Sequence, residues 1–427
     1  MQFQRRQFIS SITAAAGSVM LPTATRSEDP AESNRASGVN RVAGMLMGSL
    51  IGDALGGPVE FREFDQSESQ SGLANARKWD AERVLDDSVL KQLSDSLVMP
   101  SYEILRPDAA AYGPWRAKAK AGTITDDSRH KIVVMRALRK MLAGDKDRIT
   151  SRDLARELIE FTPRLDRPPS VATAELVEEG LREYRYASRW LLGERENAYP
   201  VERLWAGVSN CSGQMALLPL AGLFPGDPQI AYRETFEIDF LDAPIARDIC
   251  SALNAALASS LDPKLNTASP QQRWQAMLDG LKTDPFRFGD VPYAGRQLDR
   301  WIDLSDSIVQ RAEGHPATIY RLLEQEGKPV YYWDAHFTLL VPLTMLKACR
   351  FNPLAAMHLT LDFGHDSDSY AQVLGAMIGA VHGTNLFPSR MVVAVADRLL
   401  ADFGESVDHW QVTVAAAAKR WKRRTMR

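Results

Sequence analysis

The sequence has few cysteines and no excess of positive charge, and each absence narrows the class of protein. Its three cysteines, Cys211, Cys250 and Cys349, are far apart and odd in number, which excludes a disulfide framework and a CxxC metal site. The formal net charge is −3, and lysine and arginine are dispersed along the chain. Nucleic acid is therefore not an expected partner.

Strand patterns are also scarce, because apolar residues recur at spacings of three and four through most of the 427 residues. We predict an all-α protein with one domain over residues 39–420. An irregular insertion at about 65–122 holds one short helix near Ala81–Leu97, and Lys328–Trp333 (KPVYYW) is the best strand candidate. After the insertion, helices are predicted at Ser128–Leu142, Ser151–Phe161, Ala172–Leu192, Met215–Leu223, Ile230–Phe240, Pro244–Ser260, Pro270–Leu281, Gln297–Gly314, Pro316–Gln325, Trp333–Cys349, Asn352–Leu361, Asp368–Val381, Arg390–Phe403 and Val407–Arg420.

Two helices carry small residues at every fourth position, although an interior glycine costs about 1 kcal/mol relative to alanine. This spacing predicts that the two helices pack with their backbones in close contact. Asp53 interrupts the apolar surface of the first helix and Pro58 ends it, so we predict no membrane span. The small residues are Gly44, Gly48, Gly52 and Gly56 near the N-terminus, and Ala371, Gly375, Gly379 and Gly383 near the C-terminus.

The N-terminal segment resembles an export signal. Arg5 and Arg6 are followed by Phe8 and by an apolar stretch from Ile9 to Leu21, the order of a twin-arginine signal. The stretch has roughly 13 residues against the ~20 that a membrane span needs, so an anchor is less favoured. We therefore expect residues 1–30 to be signal and linker, cleaved somewhere between about residues 24 and 30. The twin-arginine translocase would be a partner, and the mature protein would be periplasmic or extracellular.

Three acidic clusters are candidates for chemistry: GDALGGPVEF with Asp53 and Glu60, GTITDDSRH, and GHDSDS. Each alone has a structural explanation, because Thr, Ser and Asp cap helix N-termini and carboxylates there gain about 0.3–1 kcal/mol. Capping needs one side chain, however, and two of the helix starts carry paired carboxylates with hydroxyls. If those helix starts meet, their mutual repulsion requires cations. Carboxylate and hydroxyl oxygens favour Mg²⁺, Mn²⁺ or Ca²⁺.

Together these motifs resemble the ADP-ribosylglycohydrolase family. The resemblance rests on GMLMGSLIGDALGGPVEF, TDDS, the middle segment SNCSGQMALLPLAGLFPGDP and HDSDSYAQVLGAMIGAVHG, in that order from about residue 39 to 384. It implies a compact orthogonal multi-helix domain with two Mg²⁺ or Mn²⁺ ions. The implied reaction is hydrolysis of the C1″ bond of an ADP-ribosylated protein or small molecule, with release of ADP-ribose.

The resemblance also implies roles for individual residues. Glu60, or one of the metal-binding carboxylates Asp127 and Asp366, would act as the base. The backbone N–H groups of the loop Ser209–Gly213 would hold a diphosphate. The implied metal ligands are Thr125, Asp126, Asp127, Asp366, Asp368 and Ser369, and the implied substrate-binding residues are Asp53, Ser209, Asn210, Ser212, Gly213 and His365.

Some residues depart from the family pattern. Ser128 and Ser369 replace commoner threonines, His365 stands where glycine is usual, and the middle segment has Gln214 and Met215 in place of the usual arginine. These departures leave two other functions open. One is hydrolysis of another exported ribosyl or glycosyl conjugate by the same metal site. The other is a catalytically silent binding protein on this scaffold.

Overall fold

The structure is a computed structural model that describes residues 30–60, 83–99, 121–161, 171–207, 209–293 and 295–425. Within these ranges it contains sixteen α-helices, short 3₁₀ turns and no strand, so the predicted all-α class is confirmed. In chain order the helices are α1 (Pro30–Gly56), α2 (Asp87–Ser96), α3 (Asp126–Ala143), α4 (Ser151–Glu160), α5 (Val171–Leu192), α6 (Ser212–Leu217), α7 (Pro228–Ile238), α8 (Pro244–Ser260), α9 (Pro270–Leu281), α10 (Gln297–Ala312), α11 (Pro316–Gly327), α12 (Ala335–Ala348), α13 (Pro353–Phe363), α14 (Ser367–His382), α15 (Ser389–Phe403) and α16 (Val407–Thr425).

Helices α1 and α14 form the centre of the fold, and their glycines face each other. A Cβ at Gly48 would stand 2.1 Å from the carbonyl oxygen of Gly375, and a Cβ at Gly375 would stand 1.9 Å from that of Gly48. Likewise, a Cβ at Gly379 would stand 1.8 Å from the carbonyl oxygen of Gly44. No side chain fits at these positions, so the close backbone contact predicted from the four-residue spacing is confirmed.

Two buried polar contacts fix how α14 lies against α1. The Ser367 hydroxyl donates to the carbonyl oxygen of Gly56 at 2.8 Å, and the Ser49 hydroxyl donates to Gln372 Oε1 at 3.0 Å. These contacts place the first turn of α14 beside the last turn of α1. The acidic segments of both helices therefore lie at the same end of the pair.

The predicted helices all fall on observed ones, with ends that differ by a few residues. Helix α1 begins at Pro30, earlier than the apolar pattern indicates, and the predicted Met215–Leu223 helix is divided into α6 and a 3₁₀ turn at Leu218–Leu223. The helix expected in the insertion is α2. The proposed export signal and most of the insertion lie outside the described residues.

The strand candidate Lys328–Trp333 was wrong. The segment is a turn between α11 and α12: Lys328 is left-handed (φ 45°), and Val330 donates its N–H to Asp334 Oδ2 at 2.7 Å. Tyr331 and Trp333 lie on the same side because their rings stack, with centroids 4.6 Å apart. The aromatic residues that suggested a strand are thus used in a stacking contact within a turn.

Within the described chain, the stretch Arg41–Val59 is long and apolar enough to cross a membrane. However, 78 % of its window is buried inside the protein, where it packs against α14. The buried core helix of a globular protein can have the same length and composition, so these two features alone are weak evidence for a membrane span.

Candidate metal centre

Asp53 connects the end of α1 to the start of α3. Its carboxylate is fully buried and accepts the N–H of Thr125 at 3.0 and 3.1 Å, and Oδ2 also accepts the N–H of Ser128 at 3.1 Å. These N–H groups belong to the first turn of a helix, which has no intrahelical partner for them. The structure therefore places Asp53 behind the candidate site as the residue that docks α3, whereas the sequence predicted a substrate contact.

Thr125 is the N-cap of α3. It is buried, and its Oγ1 accepts the N–H of Asp127 at 3.1 Å. The cap directs the next two carboxylates toward α14: Asp127 is almost fully buried, while the Asp126 side chain is 35 % exposed and lies 3.6 Å from Arg129. The start of α3 thus carries one enclosed carboxylate and one at the edge of the site.

Two groups of carboxylates meet at Asp368. Ligand oxygens of Asp126, Asp127 and Asp368 lie within 4.8 Å of one another, and the same is true of Glu60, Asp366 and Asp368. The first group joins α3 to α14, and the second joins the residue after α1 to α14. The predicted convergence of the three acidic segments is therefore observed, with Asp368 common to both groups.

The electrostatics of these groups fit a cation. Asp127 Oδ1 is buried without a hydrogen-bond partner, and its Oδ2 has only a long 3.4 Å contact from the Ser369 hydroxyl. The pKa of Asp127 is raised well above its usual value by burial, and then by the negative charges of Asp368 and Asp53. A hard oxygen donor set with an unsatisfied buried oxygen is what a divalent ion of the Mg²⁺ or Mn²⁺ type requires.

Two basic side chains lie close to the carboxylates. Lys131 is fully buried and donates from Nζ to the carbonyl oxygen of Asp127 at 3.0 Å, and burial lowers its pKa to about 8. Arg129 pairs with Asp126. Asp53, Glu60, Asp126, Asp127, Asp366 and Asp368 carry more negative charge than these two cations compensate.

A cleft that is open to solvent on one side lies over the carboxylates. Six of its lining residues form an acidic wall, Glu60, Asp126, Asp127, Asp366, Asp368 and Ser369, and the other six are Tyr184, Asn210, Cys211, Ser212, Met215 and Trp333. The two sets touch, because Cys211 Sγ lies 3.4 Å from Ser369 Oγ. The cleft therefore brings most of the predicted metal ligands together with Asn210 and Ser212. Thr125, Asp53, Ser209, Gly213 and His365 do not line it.

The loop Ser209–Gly213 is held by its own polar groups. Asn210 Oδ1 accepts from the backbone N–H of Ser212 at 3.2 Å and from its hydroxyl at 2.7 Å, and the Tyr184 hydroxyl lies 2.9 Å from Ser212 Oγ. The N–H of Gly213 donates to Asp242 Oδ1 at 2.9 Å. Two of the amides expected to hold a diphosphate are therefore bonded within the protein, and the side chains of Asn210 and Ser212 face the cleft instead.

His365 precedes the first carboxylate of α14 in a left-handed conformation with φ 54°. Its ring is buried and stacks on Tyr332, with centroids 3.5 Å apart and planes at 7°. Its Nε2 lies 3.2 Å from Glu324 Oε1. These contacts hold the backbone before Asp366, and His365 is not among the residues that line the cleft, where the sequence predicted a substrate contact.

The sequence model of the ADP-ribosylglycohydrolase family matches residues 34–423. The chain belongs to the ADP-ribosylglycohydrolase family. A solved structure entitled "ADP-ribosylglycohydrolase-related protein complex" is similar to 90 % of this chain and 99 % of its own, with 15 % sequence identity and a TM-score of 0.49. No curated protein matches the chain. The family resemblance identified from the acidic motifs is thus confirmed over most of the sequence.

Several residues in or beside the cleft were not predicted from the sequence to be part of the site. Tyr184, Met215 and Trp333 line the cleft, but each lies on a segment whose apolar spacing indicates only a helix or a strand. His130 and Lys131 look like part of a solvated polar face, yet both are buried. The His130 ring packs against Tyr184, with centroids 4.6 Å apart, and burial lowers its pKa to about 4. The positions of these side chains depend on contacts between distant parts of the chain, which the sequence pattern does not show.

We predict that the stability of the EDTA-treated protein, measured relative to Asp127→Asn, falls as pH rises from about 4 to about 8. Burial raises the pKa of Asp53, and burial with neighbouring carboxylates raises that of Asp127, so these carboxylates bind more protons in the folded state than in the unfolded state. The comparison with the variant cancels the opposite slope of buried histidines such as His130, whose pKa burial lowers to about 4. Divalent ions favour the ionised carboxylates, so with millimolar Mn²⁺ the slope should become positive. Urea unfolding at several pH values measures both slopes, and equal slopes with and without Mn²⁺ would contradict the prediction. Above pH 8 the lowered pKa of Lys131 adds an opposite slope.

We predict that His365→Ala lowers the free energy of unfolding by about 1–3 kcal/mol, because it removes the ring stack and retains the left-handed backbone. His365→Gly should recover about 1 kcal/mol of that loss, since glycine adopts positive φ without strain. Urea unfolding of both variants compares them directly. An alanine variant as stable as the glycine variant would show that φ at this position is unstrained.

Proposed function

We propose that this protein is a metal-dependent hydrolase that cleaves the C1″ bond of an ADP-ribosyl conjugate and releases ADP-ribose. The observation that carries the proposal is Asp368, which is shared by two groups of three carboxylates in a cleft of a chain from the ADP-ribosylglycohydrolase family. Two ions of Mg²⁺ or Mn²⁺ would carry the positive charge that Lys131 and Arg129 do not supply. Ions so held polarise substrate oxygens and lower the pKa of water.

The residues that would hold the ions follow from the two groups. Asp126, Asp127 and Asp368 would hold one, and Glu60, Asp366 and Asp368 the other. Ser369 lies on the same wall and can supply a hydroxyl. Thr125 is a weaker candidate, because its hydroxyl already caps α3.

The protein's own groups can then perform the remaining chemistry. Glu60 is only 8 % exposed and lines the cleft, where its carboxylate would take a proton from the attacking water; Asp127 and Asp366 are the alternative bases. The carboxylate wall stabilises the positive charge of an oxocarbenium-like transition state. Asn210, Ser212 and Tyr184, which form one hydrogen-bonded chain in the lining of the cleft, would orient the sugar or phosphate.

One observation favours a second candidate, hydrolysis of another ribosyl or glycosyl conjugate at the same centre. The N–H groups of Ser212 and Gly213 are bonded to Asn210 and Asp242, so they are not free to bind a diphosphate in this conformation. A substrate without a diphosphate would not need them.

The deciding experiment incubates the purified chain with ADP-ribosyl-arginine and with ADP-ribosyl-serine peptides, in Mg²⁺, in Mn²⁺ and in EDTA. We expect ADP-ribose release that requires the metal and is lost in Asp126→Ala. Two bound ions without release would favour another glycoside, and neither ions nor release would favour a silent binding protein.

We also propose export by the twin-arginine translocase to the periplasm or beyond, based on Arg5, Arg6 and Phe8. Replacing both arginines by lysine should retain the full-length chain in the cytoplasmic fraction. Unchanged distribution in that variant would refute the proposal.

A further inference from the structure

A second pair of carboxylates lies on the far side of the Ser209–Gly213 loop. Asp239 and Asp242 follow the end of α7, and both are almost completely buried. Each uses one oxygen to accept a backbone N–H: Asp239 Oδ1 accepts from Leu241 at 3.0 Å, and Asp242 Oδ1 accepts from Gly213 at 2.9 Å. The other oxygen of each, Oδ2, is buried without a hydrogen-bond partner.

The two free oxygens converge on one point. A Cβ at Gly213 would stand 2.4 Å from Asp242 Oδ2 and 2.5 Å from Asp239 Oδ2, so glycine is required there. Oxygens of the two carboxylates lie within 4.8 Å of each other, and two ionised carboxylates buried this close together would repel each other strongly. A proton held between the two Oδ2 atoms removes the repulsion and satisfies both oxygens.

The surrounding charges agree with a single shared proton. Among the described residues, the charged and titratable groups that interact with the pair are Arg247 and Cys250 of α8 and Tyr184 of α5. The Arg247 guanidinium lies over the Phe236 ring at 4.3 Å and attracts both carboxylates, without a hydrogen bond to either. Burial raises the pKa of Asp239 to about 6, and burial and then the charge of Asp239 raise the pKa of Asp242 well above its usual value. The raised pKa values favour a proton held by the pair.

We propose that Asp239 and Asp242 form a proton-sharing clamp that positions the substrate-facing loop of the candidate site. The clamp holds the N–H of Gly213, and the preceding residue, Ser212, is hydrogen-bonded to Asn210 and Tyr184, which line the cleft. Loss of the shared proton would separate the carboxylates and displace Gly213. Asp239 and Asp242 are thus positioning residues, and their effect on ligand binding rests on the proposed function.

The test uses asparagine, whose amide reproduces a protonated carboxyl without a titratable proton. In Asp242→Asn, Oδ1 can still accept from Gly213 while Nδ2 donates to Asp239 Oδ2. Asp239→Asn provides the converse pair, whereas the double asparagine variant places two donors against each other. Asp248→Asn is the matched control, because Asp248 is a buried carboxylate of α8 that pairs with Arg296 and does not contact the loop.

Two measurements are made on the full chain at about pH 6 and about pH 9: the dissociation constant of ADP-ribose by calorimetry with Mn²⁺, and the urea midpoint without ligand. We expect each single variant to bind within about threefold of wild type at pH 6, and the double variant to bind at least about tenfold more weakly, or about 1.4 kcal/mol. Wild-type binding should weaken relative to Asp242→Asn as pH rises, because only wild type loses the shared proton. Asp248→Asn should lower the urea midpoint, but its binding of ADP-ribose should change with pH as that of wild type does.

A double variant no worse than the singles in midpoint or binding would overturn the clamp, as would identical pH dependence in wild type and Asp242→Asn. If wild type binds ADP-ribose but releases none from the conjugates, the proposed hydrolysis fails and the clamp is still tested by binding. If no ADP-ribose binds, the midpoints alone decide, since the raised pKa values make wild type lose stability with rising pH more steeply than Asp242→Asn.

Discussion

Asp368→Asn is expected to abolish binding of both metal ions and to lower the rate of ADP-ribose release by at least about 10²–10³-fold. Asp368 is the one carboxylate that belongs to both groups of three, so its loss leaves each group with two carboxylates. Glu60→Gln and Asp126→Asn each affect a single group and should weaken the binding of one ion. Isothermal titration with Mn²⁺ gives the stoichiometry, and the release assay gives the rate.

The same substitution should raise the stability of the EDTA-treated protein. Asp368 is the largest charged contributor to the raised pKa of Asp127, so removing its charge relieves repulsion inside the cluster. Asp397→Asn, at an exposed position on α15, is the control. It should change neither the stability of the EDTA-treated protein nor the binding of the metal ions. Retention of two ions by Asp368→Asn would contradict the shared-ligand arrangement.

Gly375→Ala is expected to cost more than about 3 kcal/mol of unfolding free energy, or to prevent folding. The new Cβ would stand 1.9 Å from the carbonyl oxygen of Gly48, and both groups belong to backbone, so helices α1 and α14 would have to separate. Overpacking of a core typically costs 1–3 kcal/mol when side chains can adjust, and here none can. Urea unfolding and soluble yield measure the loss.

Gly144→Ala is the matched control, because its nearest neighbour, the carbonyl oxygen of Lys140, is 3.5 Å from the added Cβ. It should stay within about 0.5 kcal/mol of wild type. If Gly375→Ala matched this control, the helix pair would not require glycine. The variant should also lose metal affinity, since α14 carries Asp366 and Asp368 beside the end of α1.

The parts of the fold that follow local rules could be predicted from sequence. The four-residue spacing of the small residues that include Gly48 and Gly375 was expected to bring two helices together, and it does. A capping side chain was one explanation for the TDDS segment, and Thr125 is that cap, although the family resemblance implied that Thr125 binds metal. Glycine at every fourth position leaves a groove on one face of any helix, and the only use of such a groove is close approach. The acidic doublets beside these helices then predict the metal centre.

The parts that depend on distant contacts could not be predicted. Asp53 has the same sequence context whether it binds substrate or docks α3, and only the position of Thr125 decides. The contacts of His365 with Tyr332 and Glu324 could not be predicted, because both residues precede it by more than thirty positions. Lysine is usually a surface residue, so its burial at position 131 was not expected. The buried ammonium group interacts with the surrounding carboxylates, which come from distant parts of the sequence.

The central claim is that one cleft holds two divalent ions that share Asp368, and a crystal structure with Mn²⁺ tests it most directly. Anomalous difference density collected near the manganese edge locates the ions independently of the protein coordinates. We predict two peaks, one beside Asp126, Asp127 and Asp368 and the other beside Glu60, Asp366 and Asp368. A map from millimolar Mn²⁺ with no peak in the cleft, or with peaks that do not touch Asp368, would contradict this account.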